Sequence, residues 1–520
     1  MIKAFAPRMR RGCSWLWVWV VLAGGIPASS LLAQESAKGK AGEGTTKAAA
    51  KVEAAKVDPA TSKDEKKTGK AEKAKGVEGE GEGDAAVPET PGAKSNGSAE
   101  IFKDPRAEAA LKVFKTIPGF LDIKESQVGE VKQMAAGVVG VDADAVLKFV
   151  QAMAWRLSDR SRLNAVLNPP PRPNPSRAIQ EASDNLIDAF ATARLASNTG
   201  FLDVYNQALV ATLPKLLDNN LIARIQAMIV LGQTGSPAAL PVFINQLKDS
   251  NQTVWVKLWA ARGLTKIVEN GTRVDSAVTA QDAINAGKAL ADLLRKEEDL
   301  PWPAQMRVLE AMGSMRQAAV PASMQKVEMA STAMRFLADP GAKPEVRAAG
   351  ALALGMMRVN PAVARYNFGL IAHEIGLLAA ELGETINKSF SGNPTRSNYL
   401  TGLLVAPIFQ AFNGMEGVRE SGLLKAVGSG PSQAAVKQIA DLTSATSKAS
   451  IDLVRAIGSQ IPARKKDLSD RVAALRTYLD KNAPKDFHLV PGGMEFRPNG
   501  GPVAGAPVEK AKVAGARGGL

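Results

Sequence analysis

Residues 343–357 read KPEVRAAGALALGMM. Nothing after Pro344 breaks a helix, and Pro is well suited to a first helical turn. The prospective apolar face is mostly Ala, Gly and small aliphatic side chains. Such a helix buries too little surface to be stable alone. It therefore has to lie against neighbours that approach closely enough to exploit its smallness. Over the whole chain of 520 residues, hydrophobic residues make up 45% but aromatics only 5%, which favours helices over sheets.

Relatives of the stretch recur upstream. NNLIARIQAMIVLGQTGSP spans 219–237, DSNQTVWVKLWAARGLTKI spans 249–267, DLPWPAQMRVLEAMGSMRQ spans 299–317, and DPGAKPEVRAAGALALGMM spans 339–357. Each ends in a helix with small residues inside it and Leu or Met near its close. An apolar helix precedes each: LPKLLDNN, ALPVFINQLKDS, AGKALADLLRKEED and ASTAMRFLADP. The turns share a charge spacing. Asp249 lies eight residues before Lys257, Asp299 eight before Arg307, and Asp339 eight before Arg347. The first unit departs: Leu216 is eight before Arg224, and Asp218 only six. The period runs from about 33 to about 50 residues, so insertions separate the units.

This pattern resembles HEAT-type alpha-solenoid repeats. The resemblance rests on the Asp of the inter-helix turn, the Val/Met-Arg/Lys opening of the second helix, and the small residues in VRAAGALALG and VKLWAARGL. It covers about 219–357 and implies an all-α solenoid and no particular reaction. One helix pair cannot bury its apolar face, whereas stacked pairs build a continuous core. The expected role of Asp249, Lys257, Asp299, Arg307, Asp339 and Arg347 is structural: pairing across the turn and between repeats. Some HEAT-like families are chromophore lyases, so the resemblance also brings a lyase-type enzyme as an alternative.

The chain start constrains its compartment. MIKAFAPRMRRG carries four basic residues; CSWLWVWVVLAGGI is apolar, and PASSLLAQ follows. That is the order of a secretory signal peptide, with cleavage expected near Ala33. An uncleaved membrane anchor is the rival, since the run from Cys13 to Ala33 approaches the ~20 residues that span a bilayer. Gly24, Gly25 and Pro27 interrupt it. The only cysteine, Cys13, lies in the leader. The rest of the chain has no disulfide, thiolate zinc site, iron–sulfur cluster or covalent c-type haem.

The expected organisation is a signal peptide or membrane anchor at 1–34, a disordered low-complexity linker at 35–100, and an N-terminal helical region at 101–167. A Pro-rich connector follows at 168–176, then HEAT-like repeats at 177–360, a C-terminal helical region at 361–487 and a disordered tail at 488–520. The linker has twelve Lys against thirteen acids and almost no large apolar residues. Residues 361–390 read as one helix beginning at Pro361, and Pro407 is expected to kink or divide a later one. The net charge of +14 suggests nucleic acid at first sight. With the leader at +4, the linker at −1 and the tail at +2, the helical region keeps +9, which is mild for its length.

Candidate chemistry is sparse. The only histidines are His373 and His488. His373 sits in AHEIG, and Leu377 occupies the position where a zinc protease helix carries its second His. His373 and Glu374 are expected at the edge of a packed helix. No nucleophile elbow, P-loop or dinucleotide fingerprint is present, and pairing Glu381 with Glu384 as acid and base would be arbitrary. Trp255, Trp259 and Trp302 gather near the repeat turns; the first two share a helix face and read as core. Exposed on a concave side, such rings would anchor a peptide or glycan. The expectation is therefore a non-catalytic protein-interaction scaffold of a bacterial-type envelope or periplasm. It would have no cofactor, metal or nucleic-acid partner, and membrane contact only through an uncleaved leader. A membrane-anchored structural protein is the alternative.

Overall fold

The computed structural model describes residues 104–167, 176–271, 278–297, 299–320, 327–363, 365–418, 420–429 and 432–496. The leader, the low-complexity linker and the Pro-rich segment at 168–175 fall outside them. Among the described residues the fold is all-α. The only β pairings are two isolated bridges, Gln317 with Arg358 and His488 with Glu495. No described helix is long and apolar enough to cross a membrane.

The N-terminal helices are α1 (Pro105–Leu111), α2 (Glu125–Ala135), α3 (Ala143–Ser158), α4 (Arg160–Leu167), α5 (Ser176–Leu195) and α6 (Thr199–Thr212). Asp142 caps α3 and Asn198 caps α6 through their side chains, as short polar residues do at such positions. The repeat helices follow as α7 (Leu221–Thr234), α8 (Leu240–Lys248), α9 (Val254–Gly271), α10 (Ala280–Lys296), α11 (Trp302–Met315), α12 (Glu328–Ala338) and α13 (Pro344–Met356). Helices α8–α9, α10–α11 and α12–α13 are the pairs expected from the recurring turns.

The pairs stack in two layers. Helices α7, α9, α11 and α13 pack on one another in order, while α8, α10 and α12 form the second layer and back onto them. Smallness does the work that the sequence demanded. A Cβ added at Gly313 would lie 2.7 Å from the Cα of Ala353, so α11 and α13 meet backbone to backbone. Behind this seam Val346, Ala348, Ala351 and Ala353 are fully buried, and Leu354 nearly so. Larger residues from the other layer fill what remains, among them Phe243, Leu290, Met334 and Leu337. The exits of α11 and α13 are tied as well: Arg358 N donates to Arg316 O at 3.0 Å.

The two layers continue past residue 360, where the sequence pattern fades. Helix α14 (Phe368–Ser389) packs on α12 and α13. Helix α15 (Pro394–Leu403), a π-helical turn at Leu404–Ile408 and α16 (Phe409–Asn413) extend the layer of α13. Pro407 sits inside that wide turn, which is how the helix absorbs it. Gly355 is where the next element docks: an added Cβ there would meet Ala411 O at 2.3 Å. Helix α17 (Leu423–Ala426) follows, and α18 (Gln433–Val454) and α19 (Ile461–Lys481) then bundle with α14. Gly376 faces Ile439 and Leu479, while Gly383 faces Thr446 and Val472, so α14 runs parallel to α18 and antiparallel to α19.

Two boundaries differ from the sequence expectation. Helix α14 begins after Asn367, not at Pro361. The Asn367 side chain caps Leu370 N, its Nδ2 donates to Asp486 O and His488 O, and its N–H donates to Leu489 O. The same contacts order the start of the expected disordered tail. Residues 488–496 are packed against the bundle, with Leu489, Val490 and Phe496 buried; the tail beyond 496 lies outside the described residues.

The seam sets a sign for substitution. Gly to Ala in an open helix gains up to about 1 kcal/mol, whereas overpacking a core contact costs about 1–3 kcal/mol. Gly402 has no atom within 4 Å of an added Cβ. Gly313→Ala is therefore expected to lower the denaturation midpoint and Gly402→Ala to leave it unchanged or raise it, as measured by chemical denaturation.

Candidate functional site

The structure puts its polar side chains to use along one edge of the array, where the inter-helix turns line up. The turn before α7 carries Asn219 and Asn220, both fully buried. The Asn219 side chain pairs with the backbone of Lys115, accepting from its N–H at 3.0 Å and donating to its carbonyl at 2.7 Å. Asn220 Nδ2 donates to Leu111 O at 2.7 Å. Residues 104–115 therefore lie as a strap along the ridge of turns. At the next turn Asp104 Oδ2 accepts from Val254 N at 3.0 Å, so the strap takes the first N–H of α9 while Thr253 Oγ1 accepts from Val256 N at 3.4 Å. Arg106 Nη1 donates to Ser250 O at 3.0 Å and reaches Glu297 of the third turn at 3.6 Å.

Beneath the strap the turns are joined to each other. Arg224 donates to Asn219 O at 2.7 Å and to Gln252 Oε1 at 3.0 Å, and Gln252 donates to Leu217 O at 3.1 Å. Burial lowers the Arg224 pKa from its usual value, opposed by Asp218 and Asp249. Arg335 Nη2 donates to Leu294 O at 2.9 Å across the next pair of turns.

The six repeat residues do not pair as their spacing suggested. Lys257 is buried and bonded to Glu297, at the end of the following α10. Arg307 pairs with Glu310 on its own helix at 2.7 Å. Arg347, also buried, donates to Leu337 O at 3.0 Å and to Glu381 on α14 at 2.6 Å. Asp249 and Asp339 accept from the backbone N–H of Asn251 and Gly341 inside their own turns, and Asp299 is exposed. The spacing of eight marks turn and helix start; the cations on α9 and α13 select an acid one element further along.

Between the third and fourth turns the ridge opens into a cleft of about 410 Å³. Trp302, Phe336, Arg335, Glu297, Asp339 and Lys343 are among its lining residues. Of the three tryptophans near the turns, Trp255 and Trp259 are core and Trp302 is partly exposed in this cleft. Arg335 lies over the Phe336 ring, 5.1 Å from its centroid. No residue pattern announced the strap: its Asn partners lie more than a hundred residues away, and only the departure of the first unit from the Asp–Arg spacing hinted at a different turn.

His373 and Glu374 are not at a helix edge. They are 4% and 2% exposed, inside the bundle, with Nδ1 and Oε1 lacking hydrogen-bond partners. Helix α14 is covered by α12, α13, α18 and α19, which leaves it no outer edge at that level. His488 lies near the surface, 2.7 Å from Asp486. Among the described residues no group of three or more His, Cys, Asp or Glu is placed to hold a metal ion. Comparison with known protein families, with curated proteins and with solved structures finds no match for this chain.

The buried pair at the third turn is asymmetric. The Lys257 side chain is 1% exposed and that of Glu297 22%, with Arg106 beside the latter. Glu297→Ala leaves a buried cation without its acid and is expected to cost about 3–5 kcal/mol. Lys257→Met leaves a partly solvated acid that keeps Arg106, and is expected to cost less than half as much in the same denaturation measurement.

Proposed function

We propose that this chain is a non-catalytic interaction scaffold: a HEAT-type solenoid exported behind its leader, which presents its turn ridge to protein partners in a cell envelope. The observation that carries the reading is the strap at 104–115. The ridge already holds a length of polypeptide by backbone-directed amides at Asn219 and Asn220 and by the first N–H of α9. A surface that recognises backbone groups and helix ends in this way suits short protein segments with unpaired backbone groups at their ends, as the helical strap has. Repeat arrays offer such edges over a long distance because each pair adds an equivalent turn. The order of basic, apolar and small-residue segments in the first 34 residues supports export.

Site-specific photo-cross-linking tests this. The full chain, expressed with a photoreactive side chain at exposed Asn251 or Asp299, is expected to form a discrete protein adduct in the envelope fraction. The same group at exposed Lys466 on α19 is expected to form none. Equal labelling at all three positions, or recovery of the chain from the cytosolic fraction, would contradict the reading.

A further inference from the structure

The strap has a direction. Lys115 and Leu111 are held at the first turn by Asn219 and Asn220, whereas Asp104 meets Val254 N at the second. Arg106, near the strap's start, donates to Ser250 O at the second turn and reaches Glu297 at the third at 3.6 Å. Followed towards its N-terminus, the chain thus passes along the ridge turn by turn, and Asp104 leaves it one turn short of the cleft. Glu297 is itself one of the cleft's lining residues.

The residues just before Asp104 are the first large apolar pair after the leader. From Ala33 to Glu100 the only branched-aliphatic or aromatic residues are four valines; Ile101 and Phe102 follow, then Lys103. Helices α9 and α11 are packed neighbours, and such helices lie about 8–10 Å apart. An extended chain advances about 3.3–3.6 Å per residue. Residues 101–103 therefore suffice to carry the chain from the start of α9 to the start of α11, where Trp302 forms the near wall of the cleft.

The lining matches that segment. Trp302, partly exposed, and Phe336 supply an aromatic wall. The charged side chains are balanced, Glu297 and Asp339 against Arg335 and Lys343, so the cleft selects no net charge. Ile101 and Phe102 are likewise flanked by one acid, Glu100, and one base, Lys103. Docked there, the pair leaves water against apolar rings.

We infer that the cleft is the seat of this chain's own Ile101 and Phe102, which extend the strap from the second turn to the fourth. Phe102 lies against the Trp302 and Phe336 rings, and the low-complexity linker departs from the ridge at that point. The contact is made within one chain and does not rest on the scaffold reading. A partner segment gains the fourth turn only by displacing Phe102.

Two measurements on the full chain test this. In hydroxyl-radical footprinting read by mass spectrometry, the double variant Ile101→Ser, Phe102→Ser is expected to label Trp302 at least threefold faster than the parent. Exposed Tyr399 and buried Trp259 are expected to label as before. Unchanged labelling of Trp302, or a rise that Trp259 shares, would overturn the inference. The second measurement is disulfide formation in a Cys13→Ser background. Phe102→Cys combined with Ala342→Cys is expected to form an intrachain bond faster than Phe102→Cys combined with Asn251→Cys. Asn251 adjoins Ser250 at the second turn, so an undirected segment would favour it. A faster bond to position 251 would overturn the inference, as would a bond between two chains at position 342, which would give the cleft to a second copy.

Discussion

Close approach of α7, α9, α11 and α13 is the contact on which the rest of the array depends. The Cα of Ala353 lies where a side chain at Gly313 would begin, and Ala411 O lies where one at Gly355 would begin. Dispersion falls steeply with separation, so small residues at this seam gain more from proximity than larger ones would from area. Once these helices are fixed, α8, α10 and α12 have one surface to cover. The turns between the layers then fall along a common edge, and the strap, the cross-turn hydrogen bonds and the open cleft all follow from that alignment.

Charge placement within the array follows burial more than sequence spacing. Lys257 and Arg347 are almost completely buried, and each is satisfied by an acid on the next element, Glu297 and Glu381. A buried cation that finds its partner only when the following element is in place penalises misstacking, because removing the partner leaves an uncompensated charge. Arg307, a quarter exposed, is held by Glu310 within its own helix instead and carries no such constraint.

Much of the architecture was legible in the residues. Small residues at 348–353 and the recurring Asp-to-Arg spacing locate the starts of α9, α11 and α13, because turn chemistry and helix periodicity are local. What was not legible depends on distant partners. Asn367 moves a helix start by drawing on Asp486, His488 and Leu489, and that contact in turn packs a Gly- and Pro-rich segment that reads as disordered. His373 is buried because α18 and α19 close over α14, which no pattern around His373 encodes. The fifth tier, α14 with α15 and α16, lacks the Asp–Arg signature yet occupies the same layers, since stacking needs complementary surfaces and not a repeated motif. Of the candidate site, Trp302 was visible as a turn aromatic; the strap that defines the ridge was not.

Native-state hydrogen exchange, resolved by peptide along the full chain, tests the central claim most directly. If the seam organises the fold, the slowest-exchanging amides form one block across α9, α11 and α13, and Gly313→Ala raises exchange throughout that block together. Slower exchange in α8, α10 and α12 than in the seam helices, or a response to Gly313→Ala confined to α11, would contradict it.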